Sequence, residues 1–287
     1  MSAYRFCRTD DIGLLVDALN RCWAPHFPGE PEMTAAAFKR SIRDLQVWCS
    51  SCMVAFSGPD PIGVLIGAKR RSSTLLHRIA VHPDHVREGH GRHLLTSLSS
   101  KLSILGPPRL VAEVPERLVP ACALFGAAGY AEEAVLTDYV LESAGHQTPQ
   151  LPAPLVIPLT VEDAIANGLV AADSAVCWDR SLETLTARKD EIRGLAVASD
   201  ERLEAYVMYR RPETGADQAA EIVSIGTSAD DGGARVAALL ERVRAGGVSA
   251  FSFPKVHPAE VSAAWLEGLG FRPGARYRVF AAAAQPG

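Results

Sequence analysis

The 287-residue chain has no run of about eighteen apolar residues, so no segment reads as a membrane-crossing helix. Its opening, Met1-Ser2-Ala3-Tyr4-Arg5, lacks the zones of a secretory leader. The expectation is a soluble, cytoplasmic protein with no membrane partner. There is no excess of positive charge either. Its 29 Lys and Arg stand against 33 Asp and Glu, a net −4. No basic stripe with interleaved aromatics is visible, which argues against a nucleic-acid partner. The Gly-Lys-Ser/Thr of a P-loop is missing. Of the six cysteines, Cys49 and Cys52 form a C-x-x-C, but no second such pair and no spaced histidine pair accompanies it. No metal site is therefore expected. Two small, semi-buried thiols at the start of the strand Met53-Val54-Ala55-Phe56 are the simpler reading.

What is present is an ordinary globular mix, 48% apolar and 22% charged, in a chain long enough for two domains. The most informative stretch runs from Leu75 to Leu102. A strand through Leu75–Val81 leads into His82-Pro83-Asp84 and then Val86-Arg87-Glu88-Gly89-His90-Gly91-Arg92. A helix follows, with Leu94, Leu95, Leu98 and Leu102 on one face and Gly106-Pro107-Pro108 at its end. Glycines before a helix let several backbone N–H groups converge beside the positive end of the helix dipole, which suits a phosphate. Taken alone, Gly-x-Gly is an ordinary turn; the strand, the helix and the Arg87/Arg92 pair favour an anion site. The dinucleotide fingerprint fits worse, because Leu94 stands where its third glycine belongs.

The chain also repeats itself. A helix opening at Asp10-Asp11-Ile12 runs to Cys22-Trp23, and one opening at Glu162-Asp163-Ala164 runs through Leu169, Val170 and Asp173 to Cys177-Trp178. Second helices are expected over Thr34–Leu45 and Ser181–Ile192. Hairpins follow, Met53–Phe56 with Ile62–Ala68 and Leu195–Ala198 with Ala205–Tyr209. Each copy closes on a short glycine-capped helix and an aromatic, Tyr130 or Phe271, that starts a strand. The predicted order in each copy is β-α-α-β-β-β-α-β-α-β, an α/β (α+β) sandwich with a mixed, mostly antiparallel sheet flanked by helices. The division follows as 1–143, a Pro-rich linker at 144–154, and 155–287.

These residues resemble the GNAT superfamily of acyl-CoA-dependent N-acyltransferases, in a tandem form with a degenerate second domain. Ile79-Ala80-Val81 through Gly89-His90-Gly91 looks like the family's central strand and pyrophosphate loop, whose pattern is Arg/Gln-x-x-Gly-x-Gly/Ala. Val86 occupies the Arg/Gln position and Arg87 the next. The resemblance implies acyl transfer from acetyl-CoA, or another acyl-CoA, to an amine of a small molecule or peptide. It assigns cofactor binding to Ile79, Ala80, Val81, Arg87, Glu88, Gly89, His90, Gly91 and Arg92, with an oxyanion donor on the backbone near Ile79 or Ala80.

The departures concern proton handling. Phe125 stands where the family often has its acid tyrosine, Leu75 where it has a strand carboxylate, and Leu118 where it has an asparagine. His77, expected on the face of Leu75 and Ile79 by strand alternation, is either a base or a structural histidine. Glu113 is a second candidate base or an exposed strand carboxylate, and Tyr139 either reaches substrate or packs. In the second copy Glu221 keeps the carboxylate position, as a relic or in a different pocket. Asp230 and Asp231 in its loop repel a diphosphate, so this copy is expected to bind acyl-CoA poorly and to complete the fold, wall off the acceptor pocket or replace a second subunit. His26, Glu30 and Glu32 could meet a cationic acceptor or be solvated loop residues. The leading expectation is an N-acetyltransferase; the alternative is a non-catalytic acyl-CoA-binding or interaction module of the same fold. A tandem pair carries one interface internally, which accommodates a monomer as well as a homodimer.

Overall fold

A computed structural model describes residues 2–142, 155–172, 175–211 and 219–286. Two compact units emerge. The first contains β1 (Ser2–Phe6), α1 (Ile12–Cys22), α2 (Ala35–Leu45), β2 (Met53–Ser57), β3 (Asp60–Lys69), β4 (Ser73–Val81), α3 (His90–Leu105), β5 (Arg109–Pro115) and α4 (Val119–Ala127), and it takes in the start of β6 (Ala131–Leu141). The second contains β7 (Leu155–Leu159), α5 (Val161–Ala166), α6 (Leu182–Ala187), β8 (Ile192–Ala198), β9 (Leu203–Arg210), β10 (Ala219–Thr227), α7 (Ala234–Ala245), β11 (Ala250–Val256), α8 (Ala263–Gly268) and the first half of β12 (Arg272–Ala283). The repeated β-α-α-β-β-β-α-β-α-β order is present in both halves of the chain.

Chain order and compact unit part company at the ends. Residues 278–287, assigned by sequence to the second domain, belong to the first unit, while Val135–Tyr277 form the second. Strand order in the first unit is β1-β2-β3-β4-β5 with the end of β12, and in the second β7-β8-β9-β10-β11 with the end of β6. The returning C-terminal segment is well anchored. Phe280 enters the core, Arg278 pairs with Glu116 at 3.0 Å and Glu132 at 3.2 Å, and the Gln285 amide donates to Ser99 Oγ at 2.9 Å. The expected linker at 144–154 lies outside the described residues, as does Asp173.

Local rules explain most elements. Thr34 Oγ1 accepts from the Ala37 amide at 3.1 Å and starts α2. Leu94, Leu95, Leu98 and Leu102 of α3 are buried against Met53, Leu65, Leu76 and Leu110 of the sheet. Both closing helices end on the same device. Gly129 takes φ +83° with Tyr130 N donating to Phe125 O, and Gly270 takes φ +90° with Phe271 N donating to Leu266 O.

The helix expected from Glu162 to Trp178 is much shorter. Gly168 at φ +68° terminates α5 by that device, with Leu169 N donating to Ala164 O. Cys177-Trp178 lies outside it, and Trp178 opens a short 3-10 turn. The expected Ser181–Ile192 helix likewise stops at Ala187, and Ile192 already begins β8.

Candidate acyl-CoA site

In the first unit the parallel pair β4–β5 is short. Ser73, Thr74 and Leu75 face Arg109, Leu110 and Val111, and pairing then stops. Beyond Leu75 the two strands part, so among the described residues the β4 edge through Ile79, Ala80 and Val81 has no strand partner on that side. Such an edge offers backbone donors and acceptors to an extended ligand. One of them, Val81 O, accepts from His26 Nε2 at 2.8 Å.

The loop after β4 fits an anion. Arg87 has φ +69° and Gly89 φ +89°, and alternating left-handed residues turn amides to one side. Gly89 is the N-cap of α3, and no side chain caps that helix. A Cβ at Gly89 would meet nothing within 4 Å, so the surface there is open. Gly91 has a different reason. A Cβ there would stand 3.0 Å from Leu124 Cδ2, so this glycine lets α4 close on α3. Arg92 donates to Ala127 O at 2.8 Å and ties the loop to α4. The Arg87 guanidinium is exposed and has no ion pair among the described residues.

Glu88 and His90 act within the protein. His90 is 5% exposed, with Tyr4 Oη 2.6 Å from Nδ1 and Glu88 Oε2 3.1 Å from Nε2. The bond from His90, and a lesser one from His85, hold the Glu88 carboxyl below its usual range.

The catalytic candidates divide. β4 carries a bulge: Ile66 faces Arg78 and Gly67 faces Leu76, leaving His77 as the extra residue. The alternation that was to align His77 with Leu75 and Ile79 is broken there, since Leu76 and Ile79 both join the α3-side core. Half-buried His77 therefore stands two residues past the last β4–β5 pairing on its strand. Glu113 stands two past it on β5, opposite in facing to Ala112 and Val114, which enter the α3-side core. Tyr139 is not with them. It faces Phe253 of β11 in the core of the second unit, 6% exposed, and burial raises its pKa. The strand that carries it leaves the first unit after Ala134, so Tyr139 packs.

Phe125 is 2% exposed, stacked on Phe280 at 5.6 Å and edge-on to Tyr130 at 5.2 Å. It is a core residue with no proton to give. The sequence reading overlooked an aromatic-cationic stack after α1. Trp23 and Phe27 stack at 4.2 Å, Arg78 lies over Trp23 at 4.9 Å and Arg117 over Phe27 at 5.6 Å. The Trp-Phe spacing of four was the available signal. Of the acidic residues expected nearby, Glu30 accepts from Trp23 Nε1 at 3.1 Å.

The second unit repeats the geometry and fills it. Pairing of β10 with β11 stops at Glu221 and Ser252, and Val223 is the bulge residue. Glu221 is held by Arg210 through two hydrogen bonds, 3.0 and 2.8 Å. Beyond it, the buried Arg180 guanidinium donates to Val223 O on β10, to Pro254 O and Lys255 O on β11, and to both carboxylate oxygens of Glu260. Arg180 thus bridges the two strands where they part. Burial works against its charge, but Cys177 and Glu260 more than offset this and raise its pKa. A cavity of about 220 Å³ remains beside it, lined in part by Tyr206, Ser224 and Leu185. At α7, Asp231 accepts from the Gly233 amide at 2.9 Å and the Arg235 amide at 3.1 Å. The helix amides there are already taken by a carboxylate of the same chain.

Asp231 provides a pH test. Burial raises its pKa, but Arg235 and the two amides outweigh that and lower it overall. A depressed folded-state pKa stabilises above the unfolded value, near 3.9, and that stability is lost as pH falls through the folded one. Asp231→Ala is therefore expected to cost about 1 kcal/mol at pH 7. The gap to wild type should begin to narrow below about pH 4 in thermal unfolding and close as pH falls through the lowered folded-state value. A gap that does not narrow at all as pH falls from 7 through this range would show that the carboxylate is not the stabilising group.

The six cysteines are unbridged, with Cys49 and Cys52 buried beside the start of β2. No helix among the described residues is long and apolar enough to cross a membrane.

Comparison with known proteins agrees with this fold. Residues 15–130 match the model of the acetyltransferase (GNAT) family. No curated protein sequence matches significantly. Among solved structures, a tandem GNAT protein from the clavulanic acid biosynthesis pathway superposes with TM-score 0.67 at 18% identity, covering 100% of each chain. A GCN5-related N-acetyltransferase from Sphaerobacter thermophilus gives 0.68 at 13% identity, over 100% of this chain and 96% of that one. A putative acetyltransferase from Pyrococcus horikoshii gives 0.63 at 14%, over 99% and 90%. These identities speak to fold. The chain is a tandem GNAT-fold protein whose residues 15–130 match the acetyltransferase (GNAT) family.

Proposed function

We propose that the first unit binds acetyl-CoA or another acyl-CoA and transfers the acyl group to an amine of a small molecule or peptide. One contrast carries the reading. The amides at the start of α3 are uncapped beside an unpaired strand edge, whereas those of α7 are occupied by Asp231. In this reading the amides from Arg87 to Arg92 hold the diphosphate, and the β4 edge through Ile79–Val81 aligns the extended arm. A backbone N–H near Ile79 or Ala80 supports the oxyanion that forms when the amine nitrogen attacks the thioester carbon. His77 or Glu113, directly or through water, takes the proton the amine gives up. Collapse of the adduct forms the amide and expels thiolate, which takes a proton from solvent. The Trp23–Phe27 face offers a wall for the acceptor. The second unit completes the fold.

Calorimetry with acetyl-CoA, followed by thiol release across a panel of amines, tests this. One molecule of acetyl-CoA per chain and amine-dependent thiol release are expected. Absence of binding at millimolar ligand ends the reading. Binding without thiol release for any amine supports the second reading, a non-catalytic acyl-CoA-binding module, which the burial of Phe125 and the loss of a carboxylate at Leu75 favour.

His77→Ala is expected to lower kcat about 100-fold with little change in acetyl-CoA affinity, the usual range for a general base. A pH–rate profile from 6 to 9 checks it: the acid limb present in wild type should vanish in the variant. An unchanged profile and unchanged kcat would remove His77 from the mechanism.

A further inference from the structure

Five of the chain's eight histidines fall between positions 77 and 93. Two of them converge with a carboxylate. The Glu88 Oε2 atom lies 3.1 Å from His90 Nε2 and 3.5 Å from His85 Nδ1. One ligand atom from each of the three residues falls within 4.8 Å of the others. A tetrahedral zinc with bonds of about 2.0–2.1 Å holds its nitrogen and oxygen ligands about 3.3–3.4 Å apart. The two separations bracket that value, so these ligand atoms could meet one ion with little movement.

We propose that His85, Glu88 and His90 form a binding site for one divalent transition metal of the zinc class. Three protein ligands of this type leave the fourth position to water. Burial and access suit the role. The His90 side chain is 6% exposed and fixed, while those of His85 and Glu88 are 31% and 54% exposed and leave a path for the ion.

An outer partner is also in place. Tyr4 Oη lies 2.6 Å from His90 Nδ1, and the Tyr4 ring is itself held against His93 at 3.8 Å. Histidine ligands commonly use the second ring nitrogen in this way, which fixes ring orientation and tautomer. In the tautomer that donates from Nε2 to Glu88, Nδ1 accepts from the tyrosine hydroxyl. With metal on Nε2, the ring proton sits on Nδ1 and is donated to the tyrosine oxygen. A hydroxyl can do either, so His90 changes tautomer with no net proton gained or lost. His82 is not among the residues whose ligand atoms converge.

The site flanks Gly89, so a bound ion ties the loop between Glu88 and the first residue of α3. That consequence for the loop rests on the proposed acyl-CoA reading; the metal site does not. The test therefore needs no acyl-CoA. Full-length protein, stripped with chelator, is titrated with Zn²⁺ by calorimetry and with Co²⁺ by visible absorption, for wild type, His85→Ala and Tyr4→Phe. His85 is partly exposed, and far-ultraviolet dichroism checks that its variant stays folded.

The expected result is one Zn²⁺ per chain and a four-coordinate cobalt spectrum. Affinity should fall about 100-fold in His85→Ala and about 10-fold in Tyr4→Phe, with stoichiometry unchanged in the latter. Equal affinity in wild type and His85→Ala would overturn the proposal. So would a sulfur-to-cobalt charge-transfer band, which would assign the ion to the free cysteines, and so would no binding of either metal.

Discussion

Arg87→Asp is expected to weaken acetyl-CoA binding at least 100-fold, about 2.7 kcal/mol, while the protein unfolds within a few degrees of wild type. The variant carries over the device seen at α7. Asp231 stands two residues before the N-cap Gly233 and takes two amides of that helix end. Arg87 stands two residues before the N-cap Gly89 of an uncapped helix. An aspartate there would fill the amides from within and replace a cation by an anion beside the diphosphate. Arg87 also sits at φ +69°, a conformation aspartate tolerates better than most residues. The fold therefore has no reason to fail. Calorimetry and thermal unfolding on the same preparation decide it. Unchanged affinity would mean that the diphosphate is held elsewhere.

Arg180→Ala is expected to be the most destabilising single change in the second unit, by about 3–5 kcal/mol. Truncation leaves Glu260 as an unpaired carboxylate, 12% exposed, and strands the carbonyls of Val223, Pro254 and Lys255. It also opens a void against Phe253, whose ring lies 4.5 Å from the guanidinium. Denaturant unfolding measures the loss, and hydrogen exchange should show it concentrated in β10 and β11. A loss under about 1 kcal/mol would mean that solvent enters and serves the stranded groups.

Much of the architecture was legible because local rules wrote it. The leucine spacing gave α3, and glycine caps gave the ends of α4 and α8. The strand–loop–helix around Gly89 was visible because each part has its own signature. What escaped depended on distant partners. One extra residue in β4 moves His77 out of alternation, and nothing near His77 announces it, since the bulge is defined by β3. Which of its two readings Tyr139 takes was not legible, because its strand ends beside β11, a pairing set by residues more than a hundred positions away. Arg180 has the composition of a surface turn, yet carbonyls of β10 and β11 and the Glu260 carboxylate enclose it. Asp231 was read as repelling a diphosphate; the structure adds that its carboxylate occupies the helix amides.

The placement of residues 278–287 has a consequence for how the protein is made. A ribosome delivers residues 2–134 well before Phe280 and its neighbours, which belong to the same unit. That unit therefore waits, with part of its apolar interior uncovered, while more than a hundred further residues are made. A fragment cut at the apparent boundary should inherit that unfinished state permanently.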